Sequence, residues 1–319
     1  MKRPWTLTAA LTVLLAAMAC NLSSGGSATV PVPPPQLTQT AALASPQPAS
    51  PTATAAVPTI PPLTAEMLKN GTYKLPQSGE MVTLVNGKFD RDTPDTNVLH
   101  VVLLDPIAFG DLNGDGADDA AVLLAENTGG TGDFISVVVM LNQAGAPMQS
   151  ANRYIDDRAK INGMIFQSGR IVLDAVIHGV GDPLCCPNFP VVETMQFRNN
   201  QLVLTHFTST PPGGSLREIV LTAPAQGASV SGSVTVTGSV TISPFENTLN
   251  YSIFDLGGNL LGSGPIMVTS SGMGTPGTFT SPIDLTTIPA GAVIRLEIRD
   301  LSAADGSILA MDSVECTLQ

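Results

Sequence analysis

The strongest chemical signal in this sequence is a run of oxygen-bearing side chains at residues 109–119. Acidic and amide residues alternate there with other residues. If Asp111 is counted as loop position 1, a glycine occupies position 6. Oxygen ligands at loop positions 1, 3, 5 and 9 suit a hard cation that takes six to eight oxygens, and calcium fits best. The expected ligands are the side chains of Asp111, Asn113, Asp115 and Asp119 and the backbone carbonyl of Ala117.

The loop is not an EF-hand, because Val122 occupies position 12 and no bidentate glutamate follows. It is similar instead to the FG-GAP-type calcium loop of β-propeller and integrin-like repeats. Only one copy occurs, so a propeller is not expected. The alternative is a polar hairpin turn that holds no ion. A structural site in an extracellular setting would bind calcium weakly, with a Kd of roughly 0.1 to 1 mM.

A second unusual segment contains the adjacent cysteines Cys185 and Cys186. In an oxidising compartment they can form a disulfide with each other, pair elsewhere, or stay as small buried hydrophobic residues. Together with Cys316 they leave an odd number of thiols if Cys20 carries lipid. The spacing does not suit zinc, which favours C-x-x-C pairs. For His178 we expect a structural hydrogen bond rather than a ligand role.

Sequence signatures of catalysis are missing. The chain has no G-x-S-x-G, H-E-x-x-H or Walker motif, and only three histidines. Its 14 basic residues against 26 acidic ones give a net charge of -12, which argues against a nucleic-acid partner. We therefore expect a protein that is not an enzyme.

The first 20 residues indicate export. Lys2 and Arg3 precede an uncharged apolar stretch at residues 5–19, which is shorter than the roughly 20 residues of a membrane-spanning helix. The A-M-A-C sequence at 17–20 resembles the bacterial lipoprotein box, which implies diacylglycerol on Cys20 and an extracytoplasmic, membrane-anchored protein. The alternative is an ordinary signal peptide cleaved at small residues.

Residues 21–63 are expected to form a disordered linker. The segment 21–62 contains ten prolines and no charged residue. Such a composition cannot bury a core, so it would act as a tether between the membrane and the folded regions.

The region 64–212 has the pattern of a mainly antiparallel β-sheet domain. A capping threonine at Thr64 starts one or two helical turns that end at residues 70–71. The dipeptides at 86–87, 168–169 and 199–200 suit tight hairpins, whereas 154–161 is compatible with either a helical turn or a strand. Apolar runs predict strands at 81–85, 98–104, 120–124, 134–141, 171–177, 191–197 and 202–207.

Two motifs of this region occur together in a known type of domain. The A-F-G-D-L-N-G-D-G motif at 108–116 and the H-G-V-G-D-P-L-C-C-P motif at 178–187 resemble a secreted bacterial domain found mostly in envelope lipoproteins. The resemblance covers nearly all of residues 70–207. It implies a location in the cell envelope and no particular activity.

The region 213–319 shows cleaner alternation of apolar and polar residues. Seven strands within about a hundred residues predict an immunoglobulin-like β-sandwich, although the paired cysteines and core tryptophan of antibody domains are missing. The predicted strands are 219–222, 234–242, 249–255, 260–268, 278–285, 293–300 and 308–316.

Short motifs make this resemblance more specific. The segments V-T-G at 236–238, F-E-N-T-L at 245–249, D-L-G-G at 255–258 and S-A-A-D-G-S at 302–307 resemble the immunoglobulin-like domain of bacterial spore germination proteins. Such domains are accessory modules on extracytoplasmic proteins and are not known as catalysts. The resemblance therefore implies an accessory, non-catalytic module and no role in spores.

Together these patterns predict a mainly all-β, non-catalytic cell-surface lipoprotein. Its two β modules would bind a cell-wall component or another envelope protein, with calcium stiffening the first module. The alternative function is an extracytoplasmic envelope hydrolase or a thiol-redox protein that uses carboxylates or the pair Cys185 and Cys186.

Overall fold

The computed structural model describes residues 60–93 and 98–319. The predicted signal peptide, the lipid-bearing Cys20 and residues 21–59 of the predicted linker lie outside the described residues. Within the described ranges, no helix is long and apolar enough to cross a membrane. Of the predicted linker only residues 60–63 are described, and Leu63 among them is buried.

The described chain is almost entirely β-structure, as predicted. The one helix of the described part, α1 (Ala65–Lys69), begins at the expected cap, where Thr64 Oγ1 accepts a hydrogen bond from the Met67 N–H at 3.3 Å. The strands of the first region are β1 (Thr72–Lys74), β2 (Met81–Thr83), β3 (Lys88–Arg91), β4 (Leu99–Gly110), β5 (Asp119–Asn127), β6 (Phe134–Gln143), β7 (Ala146–Asp157), β8 (Lys160–Gln167), β9 (Arg170–Ile177), β10 (Phe189–Arg198) and β11 (Gln201–Ser209).

Tight turns connect several of these antiparallel strands. At 199–200, Asn199 and Asn200 have φ angles of 47° and 58°, and the pairs at 86–87 and 168–169 also have positive φ at both positions. Positive φ at both central residues is what a type I′ hairpin requires. The ambiguous segment 154–161 is strand rather than helix, because β7 continues to Asp157 and β8 begins at Lys160.

The second region contains all seven predicted strands and one more. They are β12 (Ile219–Ala223), β13 (Ala228–Val230), β14 (Ser233–Val240), β15 (Thr248–Asp255), β16 (Leu260–Ser270), β17 (Gly277–Asp284), β18 (Val293–Leu301) and β19 (Ile308–Leu318). A short 3₁₀ turn, Phe245–Asn247, precedes β15. The strand that the sequence pattern missed, β13, has three residues and pairs in parallel with β19.

The strands form one five-stranded sheet, one twelve-stranded sheet and a two-stranded ribbon of β1 and β2. The five-stranded sheet has the order β3-β4-β5-β6-β7. The larger sheet includes strands of both regions, because β11 pairs with β19 through His206 opposite Asp312 and Phe207 opposite Met311. Its order is β12-β14-β17-β16-β15-β18-β19-β11-β10-β9-β8, with β13 beside β19.

Three apolar clusters form the core. One lies on the face of the five-stranded sheet that packs against β8 to β11, and it includes Leu123 and Met311. Another lies on the opposite face, where Val122 packs with residues of α1, β1 and β2. Because β5 is buried on both faces, its sequence is a continuous apolar run rather than an alternating one. The third cluster fills the second region.

Candidate functional site

A large cavity lies where the two regions meet. Its volume is about 710 Å³, within the usual range of small-molecule sites, and residues of both regions line it. The apolar part of the lining comprises Ile155, Ile177, Phe189, Leu204, Phe207 and Leu309, among others. The charged lining residues are Arg153, His178, Asp182, Glu193, Arg217 and Asp305. An apolar surface with a few charged groups suits a ligand that is partly apolar.

One ion pair of the cavity joins the two facing sheets. Arg153, on β7, donates from Nε to Oε2 of Glu193, on β10, at 3.3 Å. Burial raises the pKa of Glu193, and the charge and hydrogen bond of Arg153 oppose that rise. Glu193 is therefore more easily protonated than an exposed glutamate, and a neutral carboxyl group can donate a hydrogen bond.

A second ion pair connects the loop between the regions with the second region. Arg217 donates from Nη1 to Oδ2 of the buried Asp300 at 2.7 Å. The backbone of Arg217 also pairs with Ser209, at the end of β11. Burial raises the pKa of Asp300, and Arg217 opposes this effect. Arg217 thus connects the loop between the regions to the end of β11 through its backbone and to Asp300 of β18 through its side chain.

Residues 178–180 and Asp182, at the start of the segment 178–188, form one wall of the cavity. His178 Nδ1 lies 2.8 Å from Oδ2 of Asp156, and Nε2 lies 3.2 Å from the carbonyl oxygen of Leu184. Burial disfavours the imidazolium ion, but the hydrogen bonds and the charge of Asp156 raise the pKa of His178 overall. Asp182 accepts hydrogen bonds from the backbone N–H of Gly179 and Asn188, which lower its pKa. His178 thus has structural hydrogen bonds that order the wall.

The cysteines lie in the same segment. The structure joins Cys185 to Cys186 by a disulfide, one of the pairings that the sequence left open. The third cysteine of the described part, Cys316, is free and buried, and burial raises the pKa of its thiol. Neither Cys185 nor Cys186 lines the cavity, although Asp182 and His178 of the same segment do.

The expected calcium ligands divide into two groups. Four of them, Asp111, Asn113, Asp115 and Ala117, lie on the loop between β4 and β5, and the side chains of the first three hold its backbone. Asp111 accepts hydrogen bonds from the N–H of Gly114 at 2.7 Å and of Gly116 at 2.9 Å. Asp115 accepts from the N–H of Ala117 at 2.8 Å, and Asn113 accepts from the N–H of Asp115 at 2.9 Å.

Asp119 has a different environment, because its side chain is fully buried. Its two carboxylate oxygens accept hydrogen bonds from the N–H of Leu112 at 3.0 Å and of Asn142 at 2.8 Å. Burial raises the pKa of Asp119, and the nearby charge of Asp115 adds to the rise. Asp119 therefore connects the loop to β6. Across residues 60–93 and 98–319, no three His, Cys, Asp or Glu side chains are arranged to hold a metal ion.

The second region carries the match to a known family. Residues 218–307 match the immunoglobulin-like domain of bacterial spore germination. This finding confirms the resemblance predicted from the short motifs. No protein in the curated set matches the chain. The immunoglobulin-like domain is a non-catalytic type of module, so the family match indicates no enzymatic activity.

The immunoglobulin-like domain contributes to the cavity mainly through one loop. Ser302, Ala304, Asp305 and Ser307 line the cavity from the connection between β18 and β19. In the sequence, this motif indicates only the family. Nothing in the sequence marks Arg153, Glu193 and Arg217 as cavity residues, because ion pairs between distant segments leave no characteristic spacing.

Proposed function

We propose that the protein is a non-catalytic binding protein of the bacterial cell envelope that holds its ligand in the cavity between its two regions. The observation that carries the proposal is the cavity of about 710 Å³, which has both apolar and charged walls. The match of residues 218–307 to a non-catalytic immunoglobulin-like module supports a binding role. The proposed ligand is a cell-wall component or part of another envelope protein.

We further propose that the protein is exported and anchored through a lipid on Cys20. The cationic and apolar start, followed by a cysteine and a linker with ten prolines, supports this location. Two or more acyl chains would hold the protein stably at the membrane, whereas one chain binds reversibly. A disulfide between Cys185 and Cys186 is in keeping with an oxidising compartment.

A variant that fills the cavity tests the binding function. Ala304 is exposed and lines the cavity, so Ala304→Trp places an indole ring in the space for a ligand without disturbing a core position. In a pull-down from bacterial envelope extract, we expect the full wild-type chain to retain a component that the variant retains at least about tenfold less, a loss of about 1.4 kcal/mol.

The neighbouring substitution Ala303→Trp is the matched control, because Ala303 is exposed but does not line the cavity. It should retain the component as the wild type does. Equal retention by the wild type and Ala304→Trp would contradict a role for the cavity. Turnover of wall or glycan substrates by the wild-type chain would favour the hydrolase alternative.

We also propose that the loop at 111–119 binds calcium as a structural ion. Because Asp119 bonds to Leu112 and Asn142, the ion would be held chiefly by Asp111, Asn113 and Asp115, with loop carbonyls and water completing its oxygen ligands. A site with these ligands should bind calcium weakly, because the side chains of Asp111, Asn113 and Asp115 also accept hydrogen bonds from backbone N–H groups of the loop.

Calorimetric melting of the full chain tests the calcium site. For a Kd of roughly 0.1 to 1 mM, 10 mM calcium should stabilise the fold by about 1.4 to 2.7 kcal/mol and raise the Tm by several degrees. Alanine at both Asp111 and Asp115 should abolish the rise. The control Asp118→Ala removes an exposed acid of the same segment and should keep it. Equal melting with calcium and with chelator would remove the calcium proposal.

A further inference from the structure

A smaller cavity of about 280 Å³ adjoins the large one. Arg153, Leu204 and Ile308 line both cavities, so the two spaces share one wall. The smaller space has three arginines and one acid in its lining, and we call it the arginine cavity. The charged residues that line it are Arg153, Arg295, Arg299 and Glu297.

The alternation of strand β18 brings two of these arginines together. Arg295, Glu297 and Arg299 lie two residues apart and point to one face, whereas Leu296 and Ile298 point into the core of the immunoglobulin-like domain. Arg295 Nε and Arg299 Nε each donate to Glu297, to different carboxylate oxygens and both at 2.8 Å. One acid therefore holds two guanidinium groups side by side.

An aromatic ring supports the same pair. The guanidinium carbons of Arg295 and Arg299 each lie 5.2 Å from the centre of the Phe254 ring. Phe254 is on β15, which pairs with β18 so that Phe254 lies opposite Arg295. At such a distance the ring attracts the cations without neutralising them. The two guanidinium groups are thus held in place while their positive charge remains.

The positive charge of the arginine cavity exceeds the negative charge beside it. Glu297 is shared by Arg295 and Arg299, and Glu193 is the partner of Arg153 on the side of the large cavity. Glu315 lies opposite Arg295 on the neighbouring strand β19, but it forms an ion pair with Arg198 at 3.5 Å, so this further pair leaves the charge balance unchanged. Three guanidinium groups against two carboxylates leave one excess positive charge in a chain whose net charge is -12.

Unused hydrogen-bond donors accompany this charge. Arg153 and Arg295 each use Nε for their glutamate partners, and their terminal nitrogens make no hydrogen bond to the residues that the structure describes. A guanidinium group has five N–H donors in a planar fork, which matches the oxygens of a carboxylate or phosphate. A partly buried guanidinium group with unused hydrogen-bond donors favours the binding of an anion.

We propose that the arginine cavity binds the carboxylate or phosphate group of a ligand whose apolar part lies in the adjoining large cavity. This inference rests on the proposed binding function and specifies its ligand as an amphipathic anion. Arg153 stands between the two spaces and faces both of them. The anionic group supplies the missing negative charge, and the apolar part covers side chains such as Phe207 and Leu309.

Calorimetric titration of the full chain with four small probes tests the proposal. The probes are hexyl phosphate, hexanoate, hexanol and inorganic phosphate. We expect hexyl phosphate, hexanoate or both to bind at least about tenfold more tightly than hexanol, because a hydrogen bond to a charged group contributes that much or more. They should also bind more tightly than inorganic phosphate, which has no apolar part. The stronger of the two charged probes identifies the anionic group.

Variants separate the anion subsite from the cavity. Arg299→Gln should weaken the preferred charged probe at least about tenfold and leave hexanol unchanged. Arg299→Lys keeps the charge without the fork and should give an intermediate loss. Arg170→Gln is the matched control, because Arg170 lines neither cavity. Unchanged melting of each variant verifies that it folds.

The results distinguish the inference from the proposed function. If hexanol binds as tightly as the charged probes, or if Arg299→Gln has no effect, the anion subsite is wrong while the binding cavity stands. If Ala304→Trp does not weaken hexyl phosphate, the connection between the two cavities is wrong. Failure of all four probes to bind overturns the inference, and the envelope pull-down then decides the binding function by itself.

Discussion

Replacing Arg217 with methionine is expected to lower the free energy of unfolding by about 3 to 5 kcal/mol at neutral pH. The reason is that Asp300 is buried and depends on Arg217 Nη1, at 2.7 Å, for its charge partner. Its other oxygen, Oδ1, already has no hydrogen-bond partner among the described residues. Without Arg217 the carboxylate would remain buried with no compensating charge. Urea denaturation of the full chain measures the loss.

The loss is expected to depend on pH in a defined direction. Burial raises the pKa of Asp300 above its value in the unfolded chain, so the folded state binds the proton more tightly. The stability from this protonation is present below the unfolded pKa of about 3.8 and is lost as the pH rises through the folded pKa. Because Arg217 opposes the rise, its removal raises the folded pKa further and makes this decline larger. Arg217→Met should therefore lose less stability at acidic than at neutral pH.

Two comparisons make the test specific. The double variant Arg217→Met with Asp300→Leu removes both charges and should recover stability to within about 1 kcal/mol of the wild type. In the half-exposed pair of Arg91 with Glu80, Glu80→Gln should cost much less stability than Arg217→Met, because solvent screens the exposed charges. If Arg217→Met costs no more than the exposed pair, Asp300 has another source of charge compensation.

Local turn chemistry explains why much of the β-structure was predictable. At 86–87, 168–169 and 199–200 the residue types tolerate positive φ, and the structure has positive φ at each of them. In the second region, apolar and polar residues alternate along strands such as β14, because one face of each strand is buried. These properties depend on neighbouring residues, which a sequence displays directly.

The sheet shared by the two regions was not predictable in the same way. The pairing of His206 with Asp312 joins residues about a hundred positions apart, and no turn motif specifies it. The sequence pattern predicts a domain boundary between residues 212 and 213, which lies in the loop between β11 and β12. The large cavity depends on the same long-range arrangement, so its charged residues have no common motif.

The loop at 111–119 shows a different reason for incomplete prediction. The spacing of Asp111, Asn113 and Asp115 indicates oxygen ligands, but a carboxylate is also a good acceptor for backbone N–H groups. Tertiary packing buries Asp119 against β6, where it accepts a hydrogen bond from the N–H of Asn142. Spacing alone cannot predict this outcome, because the partner lies 23 residues away.

Replacing Gly238 with alanine is expected to destabilise the immunoglobulin-like domain by about 3 kcal/mol, at the upper end of overpacking effects. Gly238 lies in β14 between β12 and β17, opposite Leu221 and Phe279. A Cβ atom there would lie 2.4 Å from the ring of Phe279 and 2.4 Å from the backbone carbonyl oxygen of Val220. The ring can shift at some cost, but the carbonyl belongs to a paired strand. Relief therefore requires the strands to separate.

Urea denaturation of the full chain again measures the effect, with Gly163→Ala as the matched control. Gly163 is also a strand glycine, in β8, and a Cβ atom at this position has no heavy atom within 4 Å apart from its chain neighbours. That substitution should be neutral or slightly stabilising, by up to about 1 kcal/mol. Adding Phe279→Leu to Gly238→Ala removes only the ring clash, so it should not restore stability. Full recovery in this double variant would show that β12 yields easily at Val220, and the close packing of β12 against β14 would then contribute little to the stability of the domain.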